Sequence, residues 1–223
     1  MKIIAKIRTP FPEKFGIPRQ AGIIDEVRGQ IVFEPEYREP EALRGIEGYS
    51  HLWIIWQFSE AVREDWSPTV RPPRLGGNKR MGVFSTRSPY RPNPIGLSCV
   101  RLIGKELTKD GWVLNVAGAD MLNGTPIYDI KPYLAFTDSH PDASCGFADG
   151  VRDYSAPVTF PDIFLNEIPE EDREPLIALL SQDPRPAYKG ESDREYGMRY
   201  KDFEVYFTAG NGGLIVTGVK RKK

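Results

Sequence analysis

Apolar residues in the first 140 positions fall in short runs broken by Gly, Pro, Asn and Asp, with no long stretch at helical spacing. IIAKIR, GQIVFEP, HLWIIWQF, MGVFST, GLSCVRLIG, GWVLNVAG and YDIKPYL are rich in β-branched and aromatic residues, the pattern of strands bounded by turns. Lys109-Asp110-Gly111, set between two apolar runs, predicts a hairpin. HLWIIWQF is apolar on both faces, as a central, doubly covered strand is. Seven such runs without intervening helices predict a mainly β fold, with residues 1–140 forming an antiparallel β-barrel, closed or nearly closed.

The pattern then changes. Residues 141–160 turn to Ser, Asp, Ala, Gly and Pro, the composition of a linker or long loop. PEEDREPLIALLSQ places acids ahead of Leu176, Ile177, Leu179 and Leu180, which predicts a short amphipathic helix. Pro175 falls early in it, where a missing N–H matters least. Tyr196, Met198 and Tyr200, then Phe203, Val205 and Phe207, alternate before AGNGG leads into LIVTGV, which predicts a β-hairpin. Residues 161–223 therefore read as a small α+β domain of one helix plus a β-hairpin.

Composition agrees with a soluble globular protein: 223 residues, 40% hydrophobic and 27% charged. The 20 prolines and 21 glycines disfavour a helical bundle. Charges and prolines interrupt the apolar N-terminus before a signal segment forms, and no run of about 18 apolar residues follows. A cytoplasmic protein without a membrane span is expected. The two cysteines and two histidines show no ligand spacing, so neither a disulfide framework nor a metal is expected. Cys99 reads as a core residue and His51 as a structural histidine.

Charge changes the picture more. The formal net charge is −1, yet Arg71 to Gly96, RPPRLGGNKRMGVFSTRSPYRPNPIG, holds six cations and no acid. Arginine dominates the run, and its planar fork suits phosphate and carboxylate. Pro72, Pro73, Pro89, Pro92 and Pro94 limit backbone freedom, which lowers the entropy lost on binding. A solvated loop paired with distant acids is the plainer reading; the spacing of rigid and basic residues favours an anion or nucleic acid. Arg71, Arg74, Lys79, Arg80 and Arg91 are the candidate RNA contacts, and Tyr90 either stacks on a base or covers the barrel end. In IPRQAG, Arg19 and Gln20 follow a proline that sets φ, which describes a ligand contact or an ordinary surface loop. Asp129 and Lys131 lie two apart and share a strand face, as a structural ion pair or as a proton acceptor beside a charge stabiliser. No GxGxxG, GxxxxGK[ST] or GxSxG motif is present, so a nucleotide-like cofactor is not held in a Rossmann manner.

KFGIPRQAG, RGIEGYSHLWIIWQF, RPPRLGGNKRMGVFSTRSPYRPNPIG, GADMLNGTPIYDIKPY and DPRPAY occur in an order that resembles the TrmO (TsaA/YaeB-like) family over nearly the whole chain. The resemblance implies an S-adenosyl-L-methionine-dependent tRNA methyltransferase with a β-barrel catalytic domain. It further implies methylation of N6 of N6-threonylcarbamoyladenosine at position 37 of threonine tRNAs, and a homodimer with the cofactor near the subunit interface. Carried over by position, it assigns Pro18, Arg19, Gln20, Arg87, Leu97, Asp120, Met121, Leu122 and Asn123 to the cofactor pocket. Ser59 and Glu60 occupy a cofactor position where relatives often have His-Gln, and Lys189 stands where arginine is common. Asp129 is then the candidate proton acceptor or orienting group, with Lys131 or Arg87 stabilising developing negative charge. Two other readings stay open. One is a methyltransferase of the same fold acting on another RNA or a small molecule. The other, prompted by Ser59-Glu60, is a non-catalytic RNA- or nucleotide-binding module.

Overall fold

Period-two alternation builds the first part of the molecule. In HLWIIWQ, Leu52, Ile54 and Trp56 are buried while Trp53, Ile55 and Gln57 are half-exposed, so one face of this strand turns inward. The computed structural model describes residues 1–72, 79–151, 154–185, 194–210 and 212–222. Its first strands are β1 (Ala5–Arg8), β2 (Arg28–Phe33), β3 (His51–Gln57), β4 (Thr69–Val70), β5 (Met81–Gly82), β6 (Ile95–Thr108), β7 (Gly111–Ala117) and β8 (Pro126–Pro132). Helix α1 (Ala135–Asp138), strand β9 (Val158–Thr159) and helices α2 (Asp162–Leu165) and α3 (Glu170–Ser181) follow. Strands β10 (Tyr196–Tyr200), β11 (Phe203–Gly210) and β12 (Gly213–Arg221) complete the chain.

Six of these strands pair in the ring β1-β2-β7-β6-β3-β8, and β8 returns to β1. Each pairing in the ring is antiparallel. Closure leaves no edge strand unpaired in this sheet, which removes a route to aggregation. The interior is filled by Ile7, Ile31, Leu52, Ile54, Trp56, Leu114, Val116, Met121 and Ile127. At the β6–β7 hairpin Thr108 pairs with Gly111 across Lys109-Asp110. Gly111 has φ +86, a conformation that favours glycine.

MGVFST departs from its expected strand. Only Met81–Gly82 is extended, paired with β4, and Val83–Ser85 makes a helical turn instead. The turn encloses Val83 but leaves Phe84 73% exposed. Cys99 also departs from expectation. It pairs with Trp53 on the outer face of the wall and is half-buried rather than in the core.

The C-terminal part is richer than one helix and a hairpin. Strands β10, β11 and β12 form a meander, and β9 adds a parallel strand beside β12. The extra turn, Lys201-Asp202, falls where the apolar positions shift phase, from Tyr200 to Phe203, and Lys201 takes φ +51 there. Helix α3 covers this sheet with Leu176, Leu179 and Leu180. Pro175 sits inside the helix and is buried rather than in its first turn, so α3 forgoes one internal hydrogen bond.

The two parts share a core. Phe11, Ile24 and Val27, from the segment joining β1 to β2, belong to the same buried cluster as α3 and β10–β12. Phe15 stacks on Tyr196 and Phe207 at centroid distances of 6.5 and 6.4 Å. The Lys201 N–H donates to the Pro10 carbonyl at 2.7 Å. Residues 9–27, which include PRQ, are thus clamped onto the C-terminal sheet.

Candidate active site

A polar centre lies at one end of the barrel. Ser98 is the inward-facing polar residue of β6 and is only 2% exposed. Trp56 Nε1 donates to Ser98 Oγ at 2.9 Å, and Ser98 Oγ donates to Asp120 Oδ1 at 2.6 Å. Gly96 makes room for this relay: a Cβ there would fall 2.2 Å from the Trp56 ring. Burial pushes the Asp120 carboxyl above the ordinary aspartate range, against the opposing pull of Ser98, the N–H groups of Asp120 and Ala21, and the Arg87 charge.

The PRQ segment and the TRS turn meet at the same centre. Arg87 donates from its guanidinium to the Gln20 side-chain carbonyl, and the Ala21 N–H faces Asp120. Pro18 is buried behind them. The turn carrying Met121, Leu122 and Asn123 is held by the end of β1. Thr9 Oγ1 donates to the Met121 carbonyl at 2.9 Å, and the Thr9 N–H donates to Asn123 Oδ1 at 3.1 Å. Met121 is fully buried, Leu122 is half-buried and Asn123 is exposed. Gln20, Arg87 and Asp120, distant in sequence, therefore form one site.

Arg19 turns towards the C-terminal part. Its Nη2 donates to the Asp183 carbonyl at 3.2 Å. Arg185 grips the Asp183 carboxylate in a two-pronged contact, both arms 2.8 Å, and Tyr154 Oη donates to the same group at 3.2 Å. This ties the start of DPRPAY to PRQ; Lys189 and the end of that motif lie outside the described residues.

Leu97, Asp129 and Lys131 are elsewhere. Leu97, Ile55 and Asp129 occupy one row across β6, β3 and β8 on the outer face of the wall. Leu97 is 57% exposed. Asp129 Oδ2 lies 3.0 Å from Lys131 Nζ, and its Oδ1 accepts the Ile130 N–H at 2.9 Å. The pair is half in water, so its attraction is weak. Asp129 also borders an open groove of about 410 Å3 lined by Ile4, Tyr37, Ile55 and Tyr128. Within one chain the wall separates this row from Asp120. Ser59 and Glu60 are exposed, and Glu60 pairs with Lys14 at 3.1 Å.

The candidate RNA contacts spread along the basic segment. Arg71, Lys79 and Arg80 are exposed around β4 and β5, and Arg80 donates to Thr69 Oγ1 at 2.9 Å. Arg91 donates to the carbonyls of Thr86 and Ser88 in its own loop, so it also shapes that loop. Tyr90 is 44% exposed beneath the Arg63 guanidinium, 4.2 Å from the ring centroid. Arg74 lies outside the described residues.

Sequence reasoning missed Ser98, Trp56 and Thr9. A signal for Ser98 was present, because alternation in GLSCV sets a hydroxyl among inward-facing positions, and a buried hydroxyl needs a partner. Nothing local marks Thr9, whose partners are more than a hundred residues away.

The family model for the tRNA-methyltransferase O N-terminal domain matches residues 6–139, and that for the TrmO C-terminal domain matches residues 157–222. The chain is 43% identical over 221 residues to tRNA (adenine(37)-N6)-methyltransferase of Escherichia coli strain K12, covering 96% of this chain and 94% of that protein. It is 42% identical over 212 residues to the putative S-adenosylmethionine-dependent methyltransferase RcsF of Pseudomonas aeruginosa, covering 92% and 90%. A crystal structure of TrmO from Pseudomonas aeruginosa matches with a TM-score of 0.78 and 34% identity, over 98% of this chain and 97% of that one. Matched at both ends of the chain and across its fold, this protein belongs to the tRNA-methyltransferase O family.

Proposed function

We propose that the chain transfers a methyl group from S-adenosyl-L-methionine to N6 of N6-threonylcarbamoyladenosine at position 37 of threonine tRNAs, as a cytoplasmic homodimer. The observation that carries this reading is the buried Asp120 carboxylate, held by Ser98 and faced by Arg87 beside Gln20. The relatives' names supply the donor and the adenine at position 37.

The donor set suits this cofactor. S-adenosyl-L-methionine supplies an electrophilic methyl group on a sulfonium, and carries an ammonium, a carboxylate and ribose hydroxyls. Asp120 is an acceptor for an ammonium or hydroxyl, and Arg87 a fork for a carboxylate. The Gln20 amide and the backbone of residues 121–123 add donors and acceptors. A cationic ligand favours the ionised form of Asp120, opposing the burial that raises its pKa.

The acceptor nitrogen is a poor nucleophile, because its lone pair is shared with the ring and the carbamoyl carbonyl. Losing its proton restores the lone pair. Asp129 is the proposed acceptor of that proton, and Lys131 or Arg87 stabilises the negative charge that develops. With the donor bound, its sulfonium would supply the methyl group and be left as a neutral thioether, while Asp129 would keep the N6 proton. Holding nitrogen, methyl and sulfur in line is the main demand on the protein.

Asp129 and Leu97 sit across the barrel wall from Asp120, so the full set needs two chains. The outer face supports such a dimer. Leu97 and Ile95 on β6 are 57% and 37% exposed, and Leu134 and Phe136 beyond β8 are 38% and 85% exposed, apolar side chains that a second chain would cover.

Threonine tRNA with and without the threonylcarbamoyl group, incubated with S-adenosyl-L-methionine, tests the reading. Methyl on N6 of the modified nucleoside alone is expected. Transfer to unmodified tRNA at an equal rate, or none to either, would overturn it.

A further inference from the structure

Trp66, Phe84 and Tyr90 stand out because they are aromatic and in water, at 52%, 73% and 44% exposure. Large rings left this open forgo burial that would stabilise the fold, and here they gather. The Trp66 and Phe84 rings lie 6.1 Å apart, tilted by 33°. Arg91 extends over Phe84 at 6.0 Å, and Arg63 lies over Tyr90 at 4.2 Å. The three rings and two guanidiniums thus lie on one patch. A cleft between Trp66 and Tyr90, with Asp65 on its rim, holds about 40 Å3. That is room for a single water and not for a base, so the patch offers flat surfaces rather than a pocket.

Its surroundings favour a polyanion. Arg71, Lys79 and Arg80 are exposed on the adjoining β4–β5 segment, which the Val83 N–H ties to the Pro68 carbonyl at 2.9 Å. The hydrogen bonds of Arg91 go to backbone carbonyls, which cancel no charge. Arg91 also holds the Thr86 carbonyl, next to Arg87. Phe84 and Tyr90 each lie three residues along the chain from Arg87, so the patch adjoins the proposed donor site.

We propose that Trp66, Phe84 and Tyr90 form a stacking platform for unpaired bases of the RNA loop that presents the target adenosine. Arg63 and Arg91 extend the platform with their planar faces, and Arg71, Lys79 and Arg80 meet the phosphates. Stacking of this kind tolerates any base, because every base has a π face, whereas duplex RNA offers none to it. The inference rests on the tRNA reading above and adds the part of the RNA that is gripped and the side chains that grip it.

The test compares wild type, W66A, F84A and W66F binding to an anticodon stem-loop RNA and to a fully paired duplex of equal length. Calorimetry with S-adenosyl-L-methionine on the same proteins checks that the donor site is intact. W66A and F84A should each bind the stem-loop about tenfold more weakly, with duplex binding and cofactor affinity unchanged, while W66F stays near wild type. Stem-loop binding by W66A equal to wild type would overturn the platform. So would an equal loss on duplex, or a change of oligomeric state in sedimentation, which would make the patch a subunit contact. If wild type binds the stem-loop no better than the duplex, the tRNA reading fails and the platform with it. A platform that fails alone leaves wild-type stem-loop preference intact.

Discussion

The Trp56–Ser98–Asp120 relay makes the candidate site sensitive to single atoms. Gly96→Ala puts a methyl group against the Trp56 ring, which the barrel interior holds on its other side. We expect a loss of about 1–3 kcal/mol in urea unfolding, as for other overpacked cores. Asp120→Asn separates fold from function. The wild-type carboxyl is raised by burial, so the folded chain holds this proton more tightly than the unfolded one. Stability is then unaffected below the ordinary aspartate pKa, falls as pH rises towards the raised value, and stays lower above it. Tm of D120N should therefore exceed that of wild type at neutral pH, with the two converging in acid. Cofactor affinity should run the other way in wild type, rising with pH as Asp120 ionises. A Tm difference independent of pH would remove Asp120 from this role. Such a centre is only partly legible in sequence. Its residues are polar types common on surfaces, and it exists only once β6, the turn after β7 and the PRQ segment are folded together.

At the scale of elements, the segment 9–27 links the site to the C-terminal sheet. Gly16 lies against Met198 with φ +94, and a Cβ there would come within 2.5 Å of the methionine side chain. Gly16→Ala should cost about 1–3 kcal/mol, part from the backbone and part from the clash. Met198→Ala should relieve the clash, so the double variant should lose less than the sum of the two single losses measured in the same denaturant series. Full additivity would mean that the segment and β10 are not in packed contact. Strands were the most legible elements, since alternation and Gly or Pro boundaries act locally. MGVFST failed because two residues of pairing cannot make a barrel strand, whatever their propensity. The Lys201-Asp202 turn is marked in the sequence only by a three-residue step between the apolar positions Tyr200 and Phe203, and neither turn residue is Gly or Asn.

For the whole molecule, the shared cluster of Phe11, Ile24 and Val27 with α3 and β10–β12 makes the barrel and the C-terminal part depend on each other. Calorimetry should show one unfolding transition, and two well-separated transitions would contradict this coupling. Sequence patterns divided the chain into two parts but could not show this common core, because the residues that join them look like loop residues. The proposed dimer belongs to this scale as well, since in that reading Asp129 and Leu97 meet a donor site through a second chain. Methyl transfer by this chain depends on Asp120, Arg87 and Gln20 being the place where the methyl donor sits. Titration of S-adenosyl-L-methionine into wild type, D120N and R87A, followed by calorimetry, tests that most directly. The account predicts binding to wild type and at least tenfold weaker binding to each variant; wild-type affinity in D120N, or no binding to the well-folded wild-type chain, would contradict it.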